Sequence, residues 1–290
     1  MEVHGTASLD EYATAVTRFL EEDPCARNVL LSVIDSVRVA SSAYSAPPSF
    51  WWVDQSGSVI GASSWTPPYQ ILVSSMPVAA APAMAAAMIA RASALGIDPG
   101  GINGPEVAAG AVAAAWAAVT GDIIERERVI LLNELGRLVD VPIPPGGSRK
   151  ASPDDVPLIA GWLRAFGAEV DVVVGANPRA IAERAVDAGG FDLWIDGGMP
   201  VCLVGHRIAA HVLRVGPVYT PPEHRNRGYG RRLTYEVTAM ALARPDVTRA
   251  MLFTDAANPV SNSIYRQAGY EPRDRHVEIE FAERTVERGH

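Results

Sequence analysis

Residues 218–237 read VYTPPEHRNRGYGRRLTYEV, and residues 252–270 read LFTDAANPVSNSIYRQAGY. An apolar run from Val212 to Tyr219 stops at Thr220-Pro221-Pro222. A helical pattern resumes at Gly230, where Leu233, Val237, Met240 and Ala241 recur at spacings that share one face. The stretch is therefore predicted as strand, turn and helix. Its turn holds Arg225, Asn226, Arg227, Gly228, Tyr229 and Gly230, and two glycines leave no Cβ between a ligand and the backbone amides there. The first amides of a helix lack intrahelical partners and lie at the positive end of its dipole, so an anion is the expected occupant. Arg225, Arg227, Arg231 and Arg232 add charge of the same sign. Further on, Ala250 to Thr254 is predicted as a short strand, and Asn258-Pro259 opens a helix with proline in its first turn.

The turn Arg-x-x-Gly-x-Gly, followed by Asn-Pro-x-Ser-Asn-x-x-Tyr-x-x-x-Gly-Tyr over 258–270, resembles the two coenzyme A blocks of the GCN5-related N-acetyltransferase (GNAT) superfamily. A glycine-rich turn alone is common before helices; the second block at this spacing makes the match specific. The resemblance implies an N-acetyltransferase that moves an acetyl group from acetyl-CoA to a primary amine by direct attack. It assigns the diphosphate to Arg225, Asn226, Arg227, Gly228, Tyr229, Gly230 and Arg231, and the pantetheine arm to the backbones of Val218, Tyr219 and Thr220. It sets Asn258, Ser261 and Asn262 beside the coenzyme as well, and makes Tyr265 the acid that protonates the leaving thiolate. The general base stays open among His206, His211, Glu223, His224 and Asp255, none of which has a partner visible in sequence. Cys202 and His206 could suggest a nucleophilic pair, but an alternating strand position is most simply a core thiol. A non-catalytic protein that senses acetyl-CoA, or a scaffold, is the alternative; retention of Tyr265 weighs against it.

The whole chain sets bounds on these expectations. Its 290 residues suit two domains. A hydrophobic content of 48% with 20% charged residues suits a globular fold. Two cysteines, Cys25 and Cys202, make no disulfide framework or metal set, so a reducing cytoplasm and no metal are expected. The start of the chain lacks the pattern of a secretory signal. The Ala-rich region from Val78 to Trp116 is interrupted by Arg91, Asp98 and Glu106, so no membrane span is expected. The net charge is −8, and the first 145 residues hold 15 of the 33 acidic but only 7 of the 25 basic residues. Nucleic acid, whose binding depends on neutralising phosphates, is a poor partner for such a chain. A cationic acceptor would suit the acidic half by steering. A monomer or a homodimer is expected.

Val141-Pro142-Ile143-Pro144-Pro145-Gly146-Gly147 cannot continue a helix or central strand, so it is read as a linker at 141–147 between domains 1–140 and 148–290. After it, Ser152 or Asp154 caps a helix bearing Val156, Ile159, Leu163 and Phe166, and Pro178 to Ala188 forms a second. Leu193–Ile195 and Val201–Val204 make a hairpin across Asp196-Gly197-Gly198. The resemblance covers about 148–282 and implies an α+β fold, a mostly antiparallel sheet flanked by helices. The first half shows the plan more faintly. Phe50–Val53 and Val59–Trp65 form a hairpin, Thr66-Pro67-Pro68 echoes Thr220-Pro221-Pro222, and Ala79–Ala94 is a helix. Ile102-Asn103-Gly104-Pro105 introduces another helix, as Asn258-Pro259 does. No Arg-x-x-Gly-x-Gly occurs between Tyr69 and Pro82, so this half is expected to be a degenerate GNAT-like domain that shapes the substrate cleft and binds no coenzyme.

Overall fold

The structure is a computed structural model, described here for residues 1–40, 44–170 and 177–282. The chain divides into two compact units. The first comprises Met1–Leu131, Asp255–Ala257 and the segment from Asp274 on; the second comprises Leu132–Thr254 and Asn258–Arg273.

The first unit runs β1 (Glu2–Thr6), α1 (Leu9–Glu22), α2 (Asn28–Ala40), β2 (Ser49–Gln55), β3 (Ser58–Trp65), β4 (Ile71–Val73), α3 (Ala81–Leu95), β5 (Gly101–Pro105) and α4 (Glu106–Thr120), then enters β6 (Ile124–Leu135). Strands β1 to β4 pair antiparallel in sequence order, and β4 meets β5 in parallel. Beside β5 lies the end of the last strand, β12 (Tyr270–Phe281), antiparallel, with Ile279 opposite Ile102. The core between this sheet and helices α3 and α4 includes Trp65, Ile71, Met84, Met88, Val112 and Trp116, with Val277, Ile279 and Phe281 from β12. Across the opposite face Tyr12 of α1 stacks on Phe50 with ring centroids 4.7 Å apart.

The second unit repeats the same order. It runs β7 (Gly147–Lys150), α5 (Val156–Val170), α6 (Pro178–Asp187), β8 (Phe191–Asp196), β9 (Met199–Ala209), β10 (Val212–Tyr219), α7 (Tyr229–Leu242), β11 (Arg249–Asp255) and α8 (Pro259–Gln267), then enters β12. Its strand order is β6-β11-β10-β9-β8-β7; β7 to β10 pair antiparallel in sequence order, and β10 meets β11 in parallel. One face packs Trp194, Cys202, Val204, Leu213, Leu233, Val237 and Leu252 beneath α7. The other packs Leu163, Ala182, Leu193, Leu203 and Tyr219 beneath α5 and α6. This is the mixed α+β, mostly antiparallel tandem architecture that the motifs implied.

Several expectations change in detail. The units part at 131/132, not within 141–147, and the described residues after Arg273 complete the first unit's sheet. The Pro-Gly stretch is no free linker, because Val141 is buried in the second core and Pro145 O accepts from Trp194 Nε1 at 2.8 Å. Residues 283–290 of the expected second domain lie outside the described residues. Thr66-Pro67-Pro68 joins β3 to β4, so it corresponds to the β9–β10 turn and not to the loop ahead of α7. Ile102 to Pro105 does lead into a helix, since Pro105 is the N-cap of α4, but the stretch is itself a strand, β5. On α7 the buried face carries Thr234 and Thr238 while Met240 is 47% exposed; Thr238 Oγ1 donates to Thr234 O and meets Tyr270 Oη at 2.7 Å, which satisfies the Thr238 hydroxyl, whereas the buried Thr234 Oγ1 has no partner among the described residues. The cap of the α5 region is a box of Ser152 with Asp155, and Arg149 holds that carboxyl well below its usual range. The 18 residues Val78–Leu95 are long and apolar enough to cross a membrane by length and composition, against the expectation that charges break every such run. In the fold Met84, Ala85, Met88 and Ala92 lie buried on the sheet, and Arg91 turns back to Ser49 Oγ at 2.8 Å.

Ile279 tests whether β12 completes the first unit. It is 1% exposed, so Ile279→Ala is expected to cost about 2–5 kcal/mol through lost burial and the cavity left behind. Hydrogen exchange should show the loss at Gly101–Pro105; unchanged protection there would mean that β12 is not part of that core.

Candidate active site

In the second unit the site is built where two parallel strands stop pairing. β10 and β11 keep register from Val212–Arg249 to Val215–Leu252, and the ladder ends there although both strands continue. A bulge between Val215 and Val218 on the β9 side goes with this change, since Gly216 takes φ +135°. Val218 and Tyr219 stay paired to Val204 and Leu203 of β9, so their other backbone edge faces the opening toward β11. An extended chain with amides could lie along that edge as an added strand.

Immediately after β10, a short 3₁₀ turn over Pro222–His224 leads to Asn226 at φ +63° and Gly228 at φ +83°, where α7 begins. Gly228 gives this helix no side-chain cap, whereas Ser8, Asn177 and Asn258 cap α1, α6 and α8. The first intrahelical bond runs from Arg232 N to Gly228 O at 3.0 Å, leaving the amides of Tyr229, Gly230 and Arg231 at an uncapped positive end. Glycine at 228 is required by its backbone angle. Gly230 is different: a Cβ there would meet Val218 Cγ1 at 3.4 Å and Thr220 Oγ1 at 3.6 Å, ordinary contact distances, so neither backbone angle nor packing within the protein requires glycine at 230.

The side chains expected at the coenzyme divide into groups. Tyr229 is buried in the core, and its hydroxyl bonds Asp196, which raises its pKa; only its backbone faces the loop. Arg225 turns its guanidinium onto Glu169 and Thr220 O, Arg231 bonds Gln267 of α8, and Arg232 holds Asp140, Val141 O and Glu236. Arg227 and Asn226 are exposed on the turn. Asn258 accepts from Ser261 N at 3.0 Å and Asn262 N donates to Asn258 O at 3.1 Å, so this part of the second block builds the start of α8.

Tyr265, Cys202, Thr220 and Val218 come together beside the opening. Thr220 Oγ1 donates to Cys202 Sγ at 3.3 Å, and burial pushes the Cys202 thiol up to about 12, which makes it an inert core thiol as its strand position suggested. Tyr265 packs edge-on against Tyr270, at 6.4 Å between centroids, and burial raises its pKa first, then the neighbouring Cys202 and Tyr270. Its hydroxyl makes no hydrogen bond to another described residue, so the donor stays available.

Among the base candidates, His206 is bound to Asp192 at 2.8 Å and lies 3.2 Å from Lys150 Nζ. His211 lies in the turn just before β10, at the end opposite the loop, and contacts Asp246 O. Asp255 accepts from Ala257 N at 2.7 Å as a turn carboxylate. Glu223 and His224 stay near the loop in the 3₁₀ turn. Glu169, which no motif marks, is the carboxylate that reaches this region, and only the packing of α5 beside Tyr219 brings it there.

In the first unit the corresponding place is closed. Ser74 pairs with Ala62, extending β4, and Met76 packs so tightly on Gly61 that a Cβ there would lie 2.6 Å from it. On β5, a Cβ at Gly104 would lie 2.4 Å from Val73 O, so β4 and β5 do not part.

A family model described as FR47-like protein matches residues 196–279, which span β9 to β12. No curated protein matches the chain significantly. Solved structures match nearly the whole chain in fold. A Drosophila protein has a TM-score of 0.65 at 14% identity and covers 97% of this chain and 98% of its own. A GCN5-related N-acetyltransferase from Sphaerobacter thermophilus has a TM-score of 0.58 at 15% identity, covering 96% and 95%. A tandem GNAT protein from the clavulanic acid biosynthesis pathway has a TM-score of 0.55 at 18% identity, covering 98% and 100%. With the twofold β-α-α-β-β-β-α-β-α-β order, the parted strands and the uncapped glycine turn, these matches show that the chain has a tandem GNAT-like fold, with the FR47-like model confined to 196–279 of the second half.

Proposed function

We propose that the second unit transfers an acetyl group from acetyl-CoA to an amine by direct attack. The observation that carries this reading is the opening between β10 and β11 beyond Val215 and Leu252, set beside an uncapped helix start. The two features fit the two ends of one ligand: a diphosphate for the orphan amides of α7, and an amide-bearing arm for the free edge of β10. The coarser part, acyl transfer from an acyl-CoA, follows the fold; acetyl as the group and an amine as the acceptor are our reading.

Acetyl-CoA, when bound, supplies the acetyl group activated as a thioester. The residues supply the rest. Backbone amides of the Val218–Thr220 segment bind and orient along the strand edge, where an N–H can hold developing negative charge on a carbonyl oxygen. The C–N bond forms as the C–S bond breaks: the amine attacks in its neutral form and releases its surplus proton to solvent, while the sulfur leaves as a thiolate that needs a donor beside it and takes its proton from water. Tyr265 Oη keeps its proton across the physiological range, because burial holds it above the ordinary phenol value of about 10. Such a phenol does not hand its proton fully to a thiolate, whose ordinary pKa is about 8.5. It acts as a fixed hydrogen-bond donor to the departing sulfur, a refinement of the acid role that the motif implied.

One coenzyme A is expected to bind per chain, because Met76 and Gly104 close the corresponding place in the first unit. Calorimetry giving two sites would show that a parted strand pair is not required. For Tyr265→Phe, the single-turnover rate should fall about 10²- to 10³-fold, as for loss of one preorganised donor, with an unchanged dissociation constant for acetyl-CoA. Release of free thiol with a panel of amines tests the reading as a whole: binding of acetyl-CoA without thiol release from any amine would favour a sensor.

A further inference from the structure

Glu169 lies in the last turn of α5, and its side chain is 42% exposed. Three elements converge on it. Arg225, from the turn ahead of α7, places Nη2 2.7 Å from Oε1 and 2.6 Å from Oε2, while its Nε donates to Thr220 O at 2.9 Å. Tyr219, the last residue of β10, brings its hydroxyl 3.5 Å from the same Oε1. An arginine of the anion-binding turn is thus engaged by an anion belonging to the protein. Arg231 and Arg232 are committed to Gln267, Asp140, Val141 and Glu236, which tie α7 to its surroundings.

Two negative groups therefore compete for one guanidinium. A diphosphate on the α7 amides would sit within the same turn as Arg225 and carry more charge than a carboxylate. The Arg225–Glu169 pair is exposed on both sides, at 41% and 42%, so it is held weakly and can exchange. Once Arg225 leaves, a negative carboxylate stands beside Tyr219, at the end of the strand along which the coenzyme arm is proposed to lie. Tyr219 points its ring to the α5 face while Val218 packs on the α7 face, so the released carboxylate lies on the sheet face opposite α7.

Resting on the coenzyme reading above, we propose that Arg225 exchanges from Glu169 to the coenzyme diphosphate and that the released Glu169 carboxylate then takes up a cationic acceptor amine. Coenzyme and acceptor are coupled through this exchange, each favouring the other's binding, as linkage requires. The ligand-free protein keeps the carboxylate neutralised, which disfavours amine binding before the coenzyme arrives.

Titration of coenzyme A by calorimetry tests this. Glu169→Gln removes the internal competitor, so coenzyme A should bind about two- to fivefold more tightly than to the wild type, the range of an exposed ion pair. Arg225→Gln should weaken binding, and Glu169→Gln in the Arg225→Gln background should change nothing further, since the competition needs both groups. With any amine that supports thiol release, Glu169→Gln should raise the acceptor KM. Glu169→Ser serves as a second variant, with thermal melts confirming folding. Coenzyme A binding that is equal or weaker in both folded Glu169 variants would overturn the exchange and leave the coenzyme reading standing. A wild-type chain that binds no coenzyme A would overturn that reading and the exchange with it.

Discussion

Everything at the site depends on two parallel strands ceasing to pair. A β-strand whose backbone groups are all used by neighbours has nothing to offer a ligand; one released on a single side presents a row of donors and acceptors at fixed spacing. β10 is released after Val215, and the bulge on its β9 side lets it bend away while Val218 and Tyr219 stay paired to β9. The turn at the end of the same strand then delivers the start of α7. Strand edge and helix end are placed by one backbone event, so a ligand that combines an anionic group with an amide chain meets both together.

The tandem repeat shows what this arrangement requires, because the first unit carries out the same order of elements without it. There Gly104 lets β5 close onto Val73, and Met76 fills the space against Gly61 where a glycine turn would stand. The same order of elements yields a packed core in one case and an opening in the other. The difference lies in a few residues at one strand end. The last strand adds a further constraint: Val277, Ile279 and Phe281, far along the chain from Ile102 and Trp116, complete the first core. That unit cannot be assembled from the first half of the chain alone.

Charge around the turn is arranged for holding structure as much as for binding. Of the four arginines between 225 and 232, three are engaged by carboxylates, a side-chain amide or backbone carbonyls of the protein itself. The attraction for an anion therefore rests mainly on backbone amides, which are fixed by the fold and need no reorganisation when a ligand arrives. Tyr265 fits the same logic. Its ring is held by packing against Tyr270, and its hydroxyl is left with its proton and without a hydrogen-bond partner among the described residues.

The sequence by itself determined the local pieces. Proline after a strand, glycines at a helix start, Asn258 as a cap and the apolar faces of the helices are set by backbone sterics and by spacings of a few residues, and so they were legible without tertiary structure. The order of elements in the second half followed from them, as did the absence of a glycine loop from the first. Other matters depend on residues far apart in the chain, and no local pattern encodes them. The echo of Thr66-Pro67-Pro68 misled because similar turns occur at different places in the repeat. The proline-rich stretch looked like a linker because nothing local shows Trp194 bonding Pro145 O or the burial of Val141. Which groups of the protein engage the arginines, that Tyr229 belongs to the core, and that Glu169 reaches the loop were decided only when α5, α7 and β10 packed together. Side-chain partners are chosen by three-dimensional proximity, whereas turns and caps are chosen by the chain's immediate neighbours.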